Sequence, residues 1–440
     1  MIGIIMDPNA LMTVIVFLTV YVIIAFEWMN KAVAALLGVM SLLILGVIDE
    51  HTAASYIDFE TIMLLIGMMG IVAVLKKTGF FAMLSVRIAK LTGGQPLRIL
   101  ILFCAVTAVT SAFLDNVTTV LIMVPIIIEL TRGMGLDPRI YVVALAMASN
   151  LGGTATLVGD PPNIIIGSKV GLTFNQFAGN LFIPVVISTV AVIGYFWRSN
   201  RASFKSIDND LTKLFSVQLL IEKIEFDFLK ITIDRTFLTK SLACLAVALL
   251  LFVSQTVTHI SPGVVALTMA MVLFIITRMD IEHILLEIEW STLLFFAGLF
   301  ILVGAMEHQG VIEWIARNIF MRAGTNVYVM TLMVLWVSGI ASGVIDNIPF
   351  TITMIPIVQM MLTQQPVPHN ILWWALALGA CLGGNLTLIG ASANIISAGQ
   401  LKKHGYEISF GEYTRKSAPG AILSLMISSI VLIVYIWIFV

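Results

Sequence analysis

Residues 418–439, APGAILSLMISSIVLIVYIWIF, run 22 positions without a charged side chain. In hydrocarbon such a segment is tolerated only as a helix, where every backbone N–H and C=O finds a partner inside the segment. Similar runs lie near residues 10–26, 31–48, 60–75, 178–197, 238–255, 262–277 and 289–306. The chain is 59% hydrophobic and 11% charged, against about 25% charged in soluble domains. An all-α polytopic membrane protein in contact with lipid is therefore expected. A net charge of −1 gives no basis for binding nucleic acid. The opening MIGIIMDPNALMTV has no basic segment and no small-residue cleavage site, so no cleaved signal is expected. Cys104, Cys244 and Cys381 lie far apart in apolar stretches and read as packing thiols.

Two further apolar segments, near 139–168 and 370–399, are interrupted by NLGGTATLVGDPPN and CLGGNLTLIGASAN and read as broken helices. Two others, 98–130 and 326–362, carry an Asp-Asn pair in mid-run, in SAFLDNVTTVLIMVP (111–125) and SGVIDNIPFTITMIP (342–356). Asp115 and Asp346 stand 231 residues apart, as do Gly152 and Gly383. YIDFETIMLLIGMMGIVAVLKKTG (56–79) aligns with EIEWSTLLFFAGLFILVGAMEHQG (287–310) at the same shift, and 12 of the 25 residues in 144–168 match 375–399. A constant offset over three blocks predicts two homologous halves, 1–197 and 238–440, joined by a polar linker at 198–237.

Charge distribution fixes the expected topology. With five spans and one re-entrant hairpin in each half, the halves have inverted orientation. Placing the linker in the cytoplasm and both termini outside leaves 21 of the 24 Lys and Arg residues inside, the bias the positive-inside rule demands. Reading 98–130 and 326–362 as full spans spoils that bias. The amphipathic pieces FFAMLSVRIAKL (80–91) and VIEWIARNIFMR (311–322) are expected to lie in the membrane plane.

A carboxylate at the centre of a span costs on the order of 2.5–3.5 kcal/mol to insert, so such residues mark cavities and pathways. Three qualify: Asp115, Asp346 and Asp160. Asp160 also suits a simple cap for the helix beginning at Pro161. The expected solute or ion site comprises Asp115, Asn116, Thr118, Gly152, Gly153, Thr154 and Asn163 with Asp346, Asn347, Gly383, Gly384, Asn385 and Asn394. The glycines open the helix, while Thr156 and Thr387 add hydroxyls beside the breaks. Proton coupling falls to Asp115, Asp346 and Asp160, since burial and like charge both favour proton uptake.

These motifs resemble the ArsB/NhaD-type permeases of the ion transporter superfamily, especially the branch that includes the P protein and arsenite and citrate transporter-like members. The resemblance covers nearly the whole chain, and GACLGGNLTLIGASANIISAG (379–399) is its most specific part. It implies a scaffold part, a moving part with paired hairpins and broken helices, elevator-type alternating access and a homodimer. In the related anion symporters the tips read Ser-Asn-Thr and bind a substrate carboxylate. Here a carboxylate replaces that hydroxyl at Asp115 and Asp346, and like charge repels a dicarboxylate.

The leading expectation is proton-coupled efflux of arsenite or antimonite, extruding uncharged As(OH)3 from a bacterial plasma membrane. A sodium/proton antiporter is the alternative, and a chloride or other anion channel a further one. No HExxH, GxSxG or P-loop is present, so an enzyme is not expected, nor a cofactor or bound metal. An ATPase partner at the cytoplasmic face is compatible with the sequence but not indicated by it.

Overall fold

A computed structural model describes residues 7–26, 28–93, 95–204, 235–320 and 326–439. Among them there is no strand. The first half supplies α1 (Pro8–Ala25), α2 (Lys31–Ile44), α3 (Glu50–Tyr56), α4 (Phe59–Lys77), α5 (Phe80–Thr92) and α6 (Pro96–Ser111). It continues with α7 (Asn116–Gly133), α8 (Pro138–Thr154), α9 (Pro161–Val170) and α10 (Phe174–Ser199). The second supplies α11 (Arg235–Val253), α12 (Pro262–Thr277), α13 (Ile281–Leu285), α14 (Trp290–His308) and α15 (Val311–Ile315). After these come α16 (Val327–Val344), α17 (Asn347–Gln364), α18 (Ile371–Gly383), α19 (Ser392–Lys403) and α20 (Phe410–Phe439). Most of the expected linker, and the end of the 311–322 piece, lie outside the described residues.

Starts are set by local chemistry. Asp7, Asn30, Asp58, Asp137 and Asn326 each accept a backbone N–H of the helix they precede. Proline, whose missing N–H is harmless there, occupies the first turn of α1, α6, α8, α9 and α12. Seven helix starts recur 231 residues apart: 31 and 262, 50 and 281, 59 and 290, 80 and 311, 96 and 327, 116 and 347, 161 and 392. Seven helices are long and apolar enough to cross a membrane, and α1, α2, α6 and α12 are shorter apolar helices.

The apolar stretch 98–130 is two helices meeting at a tight turn, 112–115, and α16 meets α17 in the same way. Arms of 16 and 18 residues are about 24–27 Å long at 1.5 Å per residue. Both broken helices are present: the chain leaves helical geometry after Thr154 and resumes at Pro161, and does so again between Gly383 and Ser392. Packing interleaves the two halves, with α2 against α14, α12 against α4, α7 against α19 and α17 against α9.

Close approach explains the glycines at the breaks. A methyl group on Gly152 would lie 2.0 Å from Ala108 O of α6, and one on Gly383 would lie 2.2 Å from Gly339 O of α16. These two positions let α8 and α18 press directly on their hairpins.

Candidate functional site

The site is assembled where the hairpin turns meet the helix breaks. Asp115 precedes α7 and accepts Thr118 N at 2.8 Å. Asp346 does the same for α17, accepting Ile348 N at 3.3 Å. Both carboxylates thus hold the first turn of a helix arm, and Asn116 and Asn347 follow them inward.

Those two asparagines converge on one carboxylate. Asn116 Nδ2 donates to Asp160 Oδ1 at 3.3 Å, and Asn347 Nδ2 donates to the same oxygen at 3.4 Å. Asp160 is fully buried and makes no capping bond to α9. Its second oxygen, Oδ2, has no hydrogen-bond partner. Its counterpart 231 residues on is Ala391, so both tips share a single acid.

Asn150 ties the halves together. Its Oδ1 accepts from Asn116 at 3.2 Å, and its Nδ2 donates to Asn385 Oδ1 at 2.9 Å and Asn394 Oδ1 at 3.0 Å. The broken segments are held by Asn163 and Asn394. Asn163 Nδ2 donates to the carbonyls of Thr154 and Thr156, and Asn394 Nδ2 to those of Gly384 and Thr387. The hydroxyls of Thr156 and Thr387 donate back to Ala112 O and Gly343 O of the two hairpins. Amides and hydroxyls here satisfy the backbone that the breaks release. Among the cysteines, all buried and free, Cys381 donates weakly to Asn163 Oδ1 at 3.6 Å.

A cleft of about 320 Å³ leads to this cluster, and its polar lining is Lys31, Asp115, Asn116, Asp160, Glu289 and Asn347. Thr118, Gly152, Gly153, Thr154, Asn163, Gly383, Gly384, Asn385 and Asn394 do not line it. Most of these stand one layer behind, as packing contacts or as holders of the breaks.

Two charged residues of the cleft are absent from the sequence-based list. Lys31, the first residue of α2, places Nζ 2.5 Å from Asp346 Oδ2. Glu289 precedes α14 and accepts Thr292 Oγ1 at 3.0 Å. Each looks like an ordinary segment end in the sequence. The available signal was asymmetry, because Lys31 stands where the other half has Pro262. Four carboxylates (Asp115, Asp160, Asp346, Glu289) thus meet one ammonium, a balance suited to protons or cations.

Comparison with known proteins agrees with this architecture. The family model described as "Citrate transporter" matches residues 21–379. An uncharacterized transporter of Mycobacterium tuberculosis (strain H37Rv) is 41% identical over 435 residues, covering 97% of this chain and 98% of its own. P protein of Sus scrofa is 35% identical over 493 residues, covering 94% of this chain, which spans 58% of P protein. The Alcanivorax borkumensis YdaH transporter shares the fold, with a TM-score of 0.56 at 12% identity over 86% of this chain and 85% of that one. These relatives are transporters rather than enzymes. An apolar helical chain, a buried polar cluster at two helix breaks and a family match over most of its length lead to one conclusion: this integral membrane protein belongs to the citrate transporter family.

Proposed function

We propose that the chain is a proton-coupled secondary transporter whose cargo is a small cation, sodium being the simplest. The observation that carries this reading is Asp160, a buried carboxylate that takes an amide from each hairpin tip and keeps one oxygen free at the head of the cleft. A proton or a small cation satisfies that oxygen; an anion does not. Free citrate is a poor cargo for the same reason, since four acids face it with one ammonium.

Arsenite or antimonite efflux is the second reading. It is favoured by acceptors at the cleft, the carboxylates of Asp115, Asp160 and Glu289, which suit the hydroxyls of uncharged As(OH)3. Both readings share one cycle. Two inverted halves, 1–197 and 238–440, rock or slide by an elevator motion that exposes the cluster to each side in turn. The convergence of both tips on Asp160 supports re-entrant hairpins meeting at mid-depth. Under the positive-inside rule the linker faces the cytoplasm of a bacterial plasma membrane and the cleft opens inward, since Lys31, Lys76 and Glu289 lie on the lysine-rich side.

Purified protein in vesicles with an imposed pH gradient tests this, with sodium, arsenite and chloride offered separately. Uphill sodium accumulation driven by protons is the expected result, and uphill arsenite movement selects the second reading. Movement of any solute only down its own gradient, indifferent to pH, overturns the proposal in favour of a channel.

A further inference from the structure

Asp346 and Asp115 occupy equivalent places, yet their surroundings differ in one cation. The Asp346 side chain is 2% exposed, and Lys31 Nζ contacts its Oδ2 at 2.5 Å. Lys31 comes from α2, which packs on α1 and α14, not from the hairpin that carries Asp346. Its own side chain is 28% exposed and lines the cleft, so the ammonium reaches the carboxylate from the solute pathway. The residue equivalent to Lys31 in the other half is Pro262, which has no charge to offer Asp115.

We propose that Lys31 is a tethered cation, filling at the second hairpin tip the place that a diffusible cation takes elsewhere in the cleft. The inference rests on the cation-binding reading above and adds to it a specificity-determining residue. The other titratable groups around this pair are Glu289 ahead of α14, Asp115 at the α7 tip, Asp160 ahead of α9, and Tyr21 of α1, whose hydroxyl meets Thr353 of α17 at 3.3 Å. Three of these four are acids, so a positive charge beside Asp346 offsets repulsion within the whole cluster. An ammonium on a side chain cannot leave with the cargo. It therefore lowers the number of cations the cleft takes up without leaving Asp346 as an unpaired buried charge.

The test is thermal unfolding of the purified full-length protein as sodium replaces N-methylglucamine at constant ionic strength and pH. Lys31→Gln should unfold at lower temperature than the wild type without sodium, because a buried carboxylate has lost its partner. It should recover with sodium, its response exceeding that of the wild type by about 2–4 °C at 100 mM. Adding Asp346→Asn to Lys31→Gln should remove both the loss and the extra response, and Lys31→Arg should respond as the wild type does. Equal sodium responses in wild type and Lys31→Gln overturn the proposal. Should Lys31→Gln not fold, the double variant, which has no orphaned charge, decides: a sodium response larger than that of the wild type sinks the idea. No step of this measurement needs transport, so it separates from a failure of sodium/proton exchange in vesicles.

Discussion

Two clefts lie in corresponding parts of the two halves. The larger, about 320 Å³, runs past Met69, Leu121 and Ile396 to Asp160. The smaller, about 240 Å³, is lined by the equivalent Phe300, Ile352 and Ile165 and reaches neither tip asparagine. The difference follows from a few side chains. Ser168 of α9 donates to Asp58 at 2.8 Å, drawing the start of α4 onto α9. The equivalent pair is Glu289 and Gly399, and glycine has no hydroxyl to give. Accordingly α4 packs on α9 and α14 on α17, while the corresponding contacts of α14 with α19 and α4 with α7 are looser. Nearly identical helices can thus hold one passage open and its twin shut.

The sharpest way to break this comparison is at the acid that only one half possesses. Asp160→Asn should reduce proton-driven transport in vesicles by about 100-fold or more, since Asn keeps the size but carries no exchangeable charge. Capping cannot rescue it, because Asp160 makes no cap bond. Wild-type rates would make the carboxylate structural.

Where the halves are alike, paired changes should act alike. Gly152→Ala and Gly383→Ala each push a methyl into the backbone of a hairpin, at a cost of about 1–3 kcal/mol. Unfolding in detergent should show losses of similar size. A loss confined to one variant would mean the two breaks are not packed equivalently.

A smaller effect is expected at the clasp. Ser168→Gly removes one hydrogen bond to a carboxylate, worth about 1.5–3 kcal/mol, and should loosen the closed seam. With Ile165→Cys as reporter, labelling by an impermeant thiol reagent should speed up, whereas Ile396→Cys, already in the open cleft, should change little. Unchanged labelling at 165 would show that the bond does not hold the seam.

Least affected should be the loop caps, where the halves match again. Asp49 is held below its ordinary 3.8, first by Thr52 N; Asp280 is held low first by Glu282 N. Their folded-state values lie under the unfolded ones, so their stabilisation is present above about pH 4 and disappears as pH falls through the folded values. Asp49→Asn and Asp280→Asn should flatten that acid limb slightly and equally in thermal unfolding between pH 3 and 6.

Much of the helix layout was legible because its causes are local. Apolar runs, capping Asp and Asn residues, prolines at first turns and a fixed offset of 231 mark where helices begin and break. The polar candidates were legible in part. Asp115, Asn116, Asp160 and Asn347 stand out because polar groups in an apolar run are costly, and all four line the cleft. Asn150 passes unnoticed within SNLGGT, although it links four elements. Lys31 and Glu289 look like span ends until folding brings them to a buried acid.

Sequence alone determined the solvent, the helices, the doubling and the residue types available for chemistry, since hydropathy and capping act over a few neighbouring residues. Only the tertiary structure decided which acid both tips share, which lysine faces Asp346 and which of two equivalent seams is open. Those outcomes depend on contacts between residues as far apart as Lys31 and Asp346. A distance of 2.5 Å between such groups is set by how the halves interleave, which no local pattern encodes.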